Sequence, residues 1–138
     1  MLVNTLADDD VDGDRARERL LADTDLHAPT LIDLEVVSVL RPHVAAGDLD
    51  DRRARLAIID LHTLSMTRYP HLPLVERVWE LRHNLTPYDA SYVALAEALK
   101  CTLVTADHRL CHAPGPLCPV EQIGDLSLIH ISEPTRPY

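Results

Sequence analysis

Apolar positions along the chain recur at two different periods, and the alternation between them predicts short strands set between amphipathic helices. Ala16, Leu20 and Leu21 stand among Arg and Glu between Asp12 and Asp23 at helical spacing, which predicts a surface helix. Leu26 to Leu31 predicts a short strand. The run Leu31-Ile32-Asp33-Leu34-Glu35-Val36-Val37-Ser38-Val39-Leu40 is too apolar for a surface helix and too long for an ordinary strand, so it predicts a largely buried helix continuing toward a stop at Gly47. Asp50 to Leu61 repeats Leu56, Ile58, Ile59 and Leu61 behind an acid-rich first turn, the pattern of a second amphipathic helix. Leu64 to Tyr69 reads as a weak strand, and Val75, Val78, Trp79 and Leu81 give a helix from Leu74 to about His83.

The sharpest start signal follows. Thr86 suits an N-cap, Pro87 suits the first helical position, and Asp89 falls three residues after Thr86, where a capping box places an acid or amide. Tyr88, Tyr92, Leu95 and Leu99 then share a face, and Ala90, Ala94, Ala96 and Ala98 permit close packing. Thr102 to Thr105 and Pro119 to Ile123 predict two more strands. Strands alternating with helices imply parallel pairing and right-handed crossovers, hence an α/β sandwich. Residues 126–138 have no periodicity linked to what precedes them and resemble read-through into non-native flanking sequence, so the expected organisation is one domain over residues 1–125 and a non-native or disordered tail over 126–138.

With 138 residues the chain suits a single core, and with no Phe and one Trp that core must be aliphatic. A formal charge of −9 disfavours a broad electrostatic grip on nucleic acid or an anionic membrane, so a phosphate substrate would have to be met by metal ions or a few local arginines. Cys101, Cys111 and Cys118 are odd in number and lack framework spacing, which points to a reducing compartment. The opening Met1-Leu2-Val3-Asn4 has no basic region of a secretory signal, and no apolar run is long enough to span a membrane, so a soluble cytoplasmic protein is expected.

Three acids stand where one element should turn into the next: Glu35, Asp89 and Asp107. Carboxylates gathered from distant segments repel one another and lose hydration unless a hard divalent cation neutralises them, so such a cluster points to Mg²⁺ or Mn²⁺. Each acid also has a local explanation. Glu35 would complement a helix dipole, Asp89 would cap its helix, and Asp107 would cap a short helix starting at His108. The position of Asp107 after a strand, however, is the carboxyl edge where open α/β sheets bind ligands. His108, Cys111, His112 and Cys118 offer zinc-type ligands but no C-x-x-C pair, and neither a glycine-rich phosphate loop nor a G-x-S-x-G elbow occurs.

Taken together, the Glu35 segment, Thr86-Pro87-Tyr88-Asp89-Ala90-Ser91-Tyr92-Val93-Ala94-Leu95-Ala96 and Leu103-Val104-Thr105-Ala106-Asp107-His108-Arg109-Leu110 resemble the PIN-domain ribonucleases, and among them the VapC-type toxins of toxin–antitoxin pairs. The resemblance implies a three-layer α/β/α sandwich with a parallel central sheet, a Mg²⁺- or Mn²⁺-dependent endoribonuclease, a homodimer and a cognate antitoxin protein. By position it assigns metal-holding and catalytic roles to Glu35, Asp89 and Asp107 and matches Thr105 to the family's threonine; Thr105 and Arg109 are the candidate substrate contacts, and local sequence does not decide between Arg109 and Arg82 for meeting the phosphate. Members of that family open on a strand ending in Asp. Here Met1 to Ala7 looks like the helix that follows such a strand, so the first strand and first acid are expected to be missing, which puts activity in doubt. A non-catalytic PIN-like module that binds RNA or protein is the competing reading.

Overall fold

The computed structural model describes residues 25–122 together with the backbone of 129–134. The expected helix at Asp12–Asp23 lies outside the described residues. Strand β1 (Leu26–Pro29) leads through Thr30 into α1 (Leu31–Ala46), followed by α2 (Asp51–Thr63), β2 (Met66–Tyr69), a 3-10 turn (Leu72–Leu74), α3 (Val75–Glu80), α4 (Pro87–Leu99), β3 (Cys101–Thr105), α5 (His108–His112), β4 (Val120–Gln122) and β5 (Ile129–Pro134).

These elements form an α/β fold around one five-stranded sheet in the order β2-β1-β5-β3-β4. β1 runs parallel to β2, from Leu26 opposite Met66 to Pro29 opposite Tyr69. β3 runs parallel to β4, with Leu103 opposite Val120 and Thr105 opposite Gln122. The two parallel pairs are not neighbours in the sheet. β5 lies between them and runs antiparallel to both, placing Ile131 opposite His27 on one side and opposite Leu103 on the other. The sheet is therefore mixed, where alternation of strands and helices alone implies a wholly parallel one. The antiparallel strand comes from residues that the hydrophobic pattern sets apart from the rest of the chain.

α4 is the central helix. Residues Ala90 to Ala96 are buried without interruption, because three alanines and a serine let the helix sink against β1, β3 and β5 on one side and α3 on the other. It starts as its sequence predicts: the Thr86 hydroxyl accepts from the Asp89 N–H at 3.2 Å, and Pro87 occupies the first turn. α1 stops at Gly47, whose φ of +84° suits a residue without a Cβ and whose N–H reaches the last carbonyls of the helix.

α1 departs from the expectation of a largely buried helix. Only Ile32, Val36 and Leu40 are buried, on one stripe, while Leu34 (70% exposed) and Val37 face outward. An unbroken apolar run cannot show which of its faces the core takes. α3 has no fully buried residue, and Trp79 is 65% exposed. Its short length and flanking turns leave it lying along the surface.

Candidate active site at the carboxyl edge of the sheet

Topology alone brings the three acids to one edge. β1 passes into α1 through a single residue, so the first turns of α1, and with them Glu35, lie beyond the carboxyl end of β1. β3 ends at Thr105, and Asp107 follows after Ala106. α4 runs back to the start of β3, so its own first turn, with Asp89, also belongs at the carboxyl end.

Glu35 is half-buried on α1. Its Oε1 accepts a hydrogen bond from the hydroxyl of Tyr92, a side chain wholly buried on α4. Burial pushes the Glu35 carboxyl above its usual range, the Tyr92 hydrogen bond offsets part of that, and the like charge of Asp89 adds to it. The Tyr92 hydroxyl is pushed far upward by burial and by the neighbouring Glu35, so it remains a proton donor.

Asp89 is likewise half-buried and raised, first by desolvation and then by the negative charge of Asp107; Thr86 and the Arg109 guanidinium pull it down. Asp107 caps α5: its Oδ1 accepts the Arg109 N–H at 2.9 Å, and the Arg109 guanidinium stands 3.5 Å from both carboxylate oxygens. The Asp107 side chain is 12% exposed, whereas that of Arg109 is 89% exposed. Thr105 has no exposed surface, and its Oγ1 accepts the Asp107 N–H at 2.9 Å. Its hydroxyl therefore fixes the backbone that presents Asp107 and does not reach outward.

The carboxylates thus form an electrostatically linked series, with Asp89 between Glu35 and Asp107. Among the described residues, no three His, Cys, Asp or Glu side chains close into a ready-made metal-binding group. The donor set still suits a hard cation, being all oxygen, partly desolvated and mutually repelling, with one exposed arginine as a counter-charge. The zinc-type ligands do not assemble: His108 and His112 meet edge to face at 4.4 Å, while Cys118 is influenced by Glu97 and Arg77 instead. Arg82 stacks on Trp79 at 4.2 Å, so of the two candidate arginines only Arg109 adjoins the acids.

Sequence reasoning placed Tyr92 only on a packing face and missed its contact with Glu35. The available signal was chemical: a buried tyrosine in an alanine-rich helix brings a hydroxyl that needs a partner.

The sequence profile of the PIN domain matches residues 1–116. The chain belongs to the PIN-domain family. Among curated relatives, Ribonuclease VapC9 of Mycobacterium tuberculosis is 47% identical over 107 residues, covering 78% of this chain and 84% of the relative. Ribonuclease VapC1 of the same organism is 46% identical over 105 residues, 75% of this chain and 79% of the relative. The more distant Ribonuclease VapC12 is 32% identical over 111 residues, or 80% and 85%. The resemblance carried by the three acidic segments therefore extends over most of this PIN domain, which is similar to VapC-type members along most of their length.

Proposed function

We propose that this PIN domain is a metal-dependent endoribonuclease of the VapC toxin type, with Glu35, Asp89 and Asp107 holding Mg²⁺ or Mn²⁺. The observation that carries this reading is the linked carboxylate series: two half-buried acids at the sheet edge where α/β proteins bind ligands, both raised first by desolvation and then by the next acid along, Glu35 by Asp89 and Asp89 by Asp107. A bound cation would offset phosphate charge and lower the pKa of an attacking water. Overall hydrolysis adds the water oxygen to phosphorus, breaks one P–O bond to ribose and leaves a proton on the departing oxygen. Within the chain, Thr105 and the Arg109 N–H hold Asp107 in place, Tyr92 holds Glu35, and the exposed Arg109 guanidinium is free to turn toward a phosphate oxygen.

The names of the relatives as ribonucleases support RNA as substrate. A protein partner, the antitoxin, and a second copy of the chain belong to the same reading. Both are favoured by the outward apolar residues Leu34 and Val37 on α1 and Leu56 and Ile59 on α2. The three unpaired thiols accord with a reducing cytoplasm. Among the described residues no helix is long and apolar enough to cross a membrane.

The test is cleavage of a mixed single-stranded RNA with Mn²⁺, with Mg²⁺ and with chelator. Cleavage that needs the metal supports the proposal. RNA binding without cleavage under any metal condition favours the non-catalytic module instead.

A further inference from the structure

An apolar pocket of about 250 Å³ opens between the first turns of α1 and α4 and the face of α3, and the residue that follows its Tyr88 wall is Asp89. Leu31 lies one turn before Glu35 on α1, and Tyr88 lies one turn before Tyr92 on α4. The pocket wall is therefore displaced from the Glu35–Tyr92 contact by a single helical turn, about 5.4 Å. Val75 and Val78 close it from α3, and His71 supplies a polar edge. Ser91 also lines it, but its hydroxyl already donates to the Tyr88 carbonyl at 2.6 Å.

We infer that this pocket receives one base of a single-stranded RNA, the base beside the phosphodiester that the acids address. The inference rests on the nuclease reading above. At about 250 Å³ the pocket is smaller than the roughly 300–1,000 Å³ of sites for drug-sized ligands, which suits one flat ring and not a folded cofactor or a peptide helix. Tyr88 is 61% exposed and immediately precedes Asp89, so an aromatic face and a candidate metal ligand are presented from one turn of helix. One turn along α3 from Val75, Trp79 is 65% exposed and carries the Arg82 guanidinium over its ring, a second stacking surface with a positive charge attached. A chain of net charge −9 lacks the diffuse basic surface that would hold RNA by phosphate attraction alone, so local stacking has to supply a large share of the grip. A base already paired and stacked in a duplex does not fit such a pocket without being extruded, which selects single strands. The mostly apolar lining gives shape preference rather than strict base identity.

The test combines Val75→Trp, which fills the pocket from α3, with Tyr88→Ala, which removes its aromatic wall, and Tyr88→Phe, which keeps it. The probe is a short single-stranded RNA carrying 2-aminopurine, whose fluorescence is quenched on stacking. Wild type and Tyr88→Phe are expected to quench it. Val75→Trp and Tyr88→Ala are expected to lose about tenfold in affinity and in kcat/KM, the scale of one base–aromatic contact, with Mn²⁺ affinity by calorimetry and melting temperature unchanged. Metal-dependent cleavage that is indifferent to both pocket variants overturns the pocket and leaves the nuclease standing. Unchanged RNA affinity with a shifted monomer–dimer equilibrium for Val75→Trp overturns it in favour of a protein contact. A wild-type protein that neither binds nor cleaves the RNA overturns both readings.

Discussion

Asp33 and Glu35 stand two residues apart on α1 and are treated in opposite ways. Asp33 receives the Arg68 guanidinium in a bidentate grip at 2.8 to 3.0 Å, tying α1 to β2. Among the described residues, the hydrogen-bond partner of Glu35 is the neutral hydroxyl of Tyr92 and not a cation. The same contrast recurs on α4. Glu97, near the end of the helix, takes two bonds from Arg77 and a third from the Leu117 N–H. Asp89, in the first turn, faces Asp107 and shares a single exposed arginine with it. Acids whose charge is matched by an arginine join elements together. Those left crowded and desolvated store unfavourable energy, and groups held this way concentrate where a ligand will relieve them.

If that division is sound, neutralising a crowded acid should separate stability from activity. Asp89→Asn keeps the size of the side chain and leaves the Thr86 cap intact, since the cap uses the backbone N–H of residue 89. Metal-dependent RNA cleavage is expected to fall by about a hundredfold or more, the scale of losing one preorganised charge contact in a site. The melting temperature of the metal-free protein should stay level or rise. Cleavage assays and thermal melts on one preparation decide it, and a variant that melts lower while still cutting RNA would move Asp89 into the structural set.

The matched set should behave in the reverse sense. Arg77→Ala strands Glu97, whose side chain is 14% exposed, and also removes the bond from Arg77 to the Gly115 carbonyl. A loss of about 2 kcal/mol in unfolding free energy is expected from urea titration, because a partly buried carboxylate would be left without its cation. Activity per folded molecule at low temperature should survive. The same contrast explains what was legible beforehand. The caps at Thr86 and Gly47 and the placement of the acids depend on local residue order, so the chain announces them. The mates of Asp33 and Glu97 lie 35 and 20 residues away in sequence, and an arginine in a run of text does not disclose its partner. Nor does an apolar run disclose its exposed side, which is why the run predicts a largely buried helix although Leu34 and Val37 face outward. The antiparallel β5 was equally hidden, because residues 129–134 carry no pattern that links them to Leu103 or His27.

Tyr92 lies between the two sets, a structural side chain that holds a crowded acid. Tyr92→Phe retains the buried ring and removes only the hydroxyl. It should cost about 1 kcal/mol in stability, the usual net worth of one hydrogen bond, and weaken Mn²⁺ binding because Glu35 is no longer oriented. Calorimetric Mn²⁺ titration, set against the melting curve, reads the two effects separately. Unchanged metal affinity would confine Tyr92 to packing.

The smallest effect, and the most direct measure of crowding, is the pH dependence of stability without metal. Glu35 and Asp89 both have folded carboxyls raised above their ordinary values, by burial first and by neighbouring acids as well. The folded chain therefore binds these protons more tightly than the unfolded chain does. By linkage, the contribution of the two acids to stability falls as pH rises through their raised folded values and is recovered on acidification, until the unfolded chain also protonates near pH ~4. That sign is opposite to the one for a carboxylate held by a salt bridge. Urea midpoints measured from neutral to mildly acidic pH should therefore show a smaller acid loss, or a gain, in wild type than in Asp89→Asn, which lacks the titrating group and relaxes Glu35 as well. Saturating Mn²⁺ should reverse the difference, because a cation that keeps the acids of wild type ionised in the folded state gives them the acid loss of a paired carboxylate. Parallel pH profiles for the two metal-free proteins would mean that Asp89 is not crowded after all, and the distinction between matched and unmatched acids would fail at the residue on which it depends most.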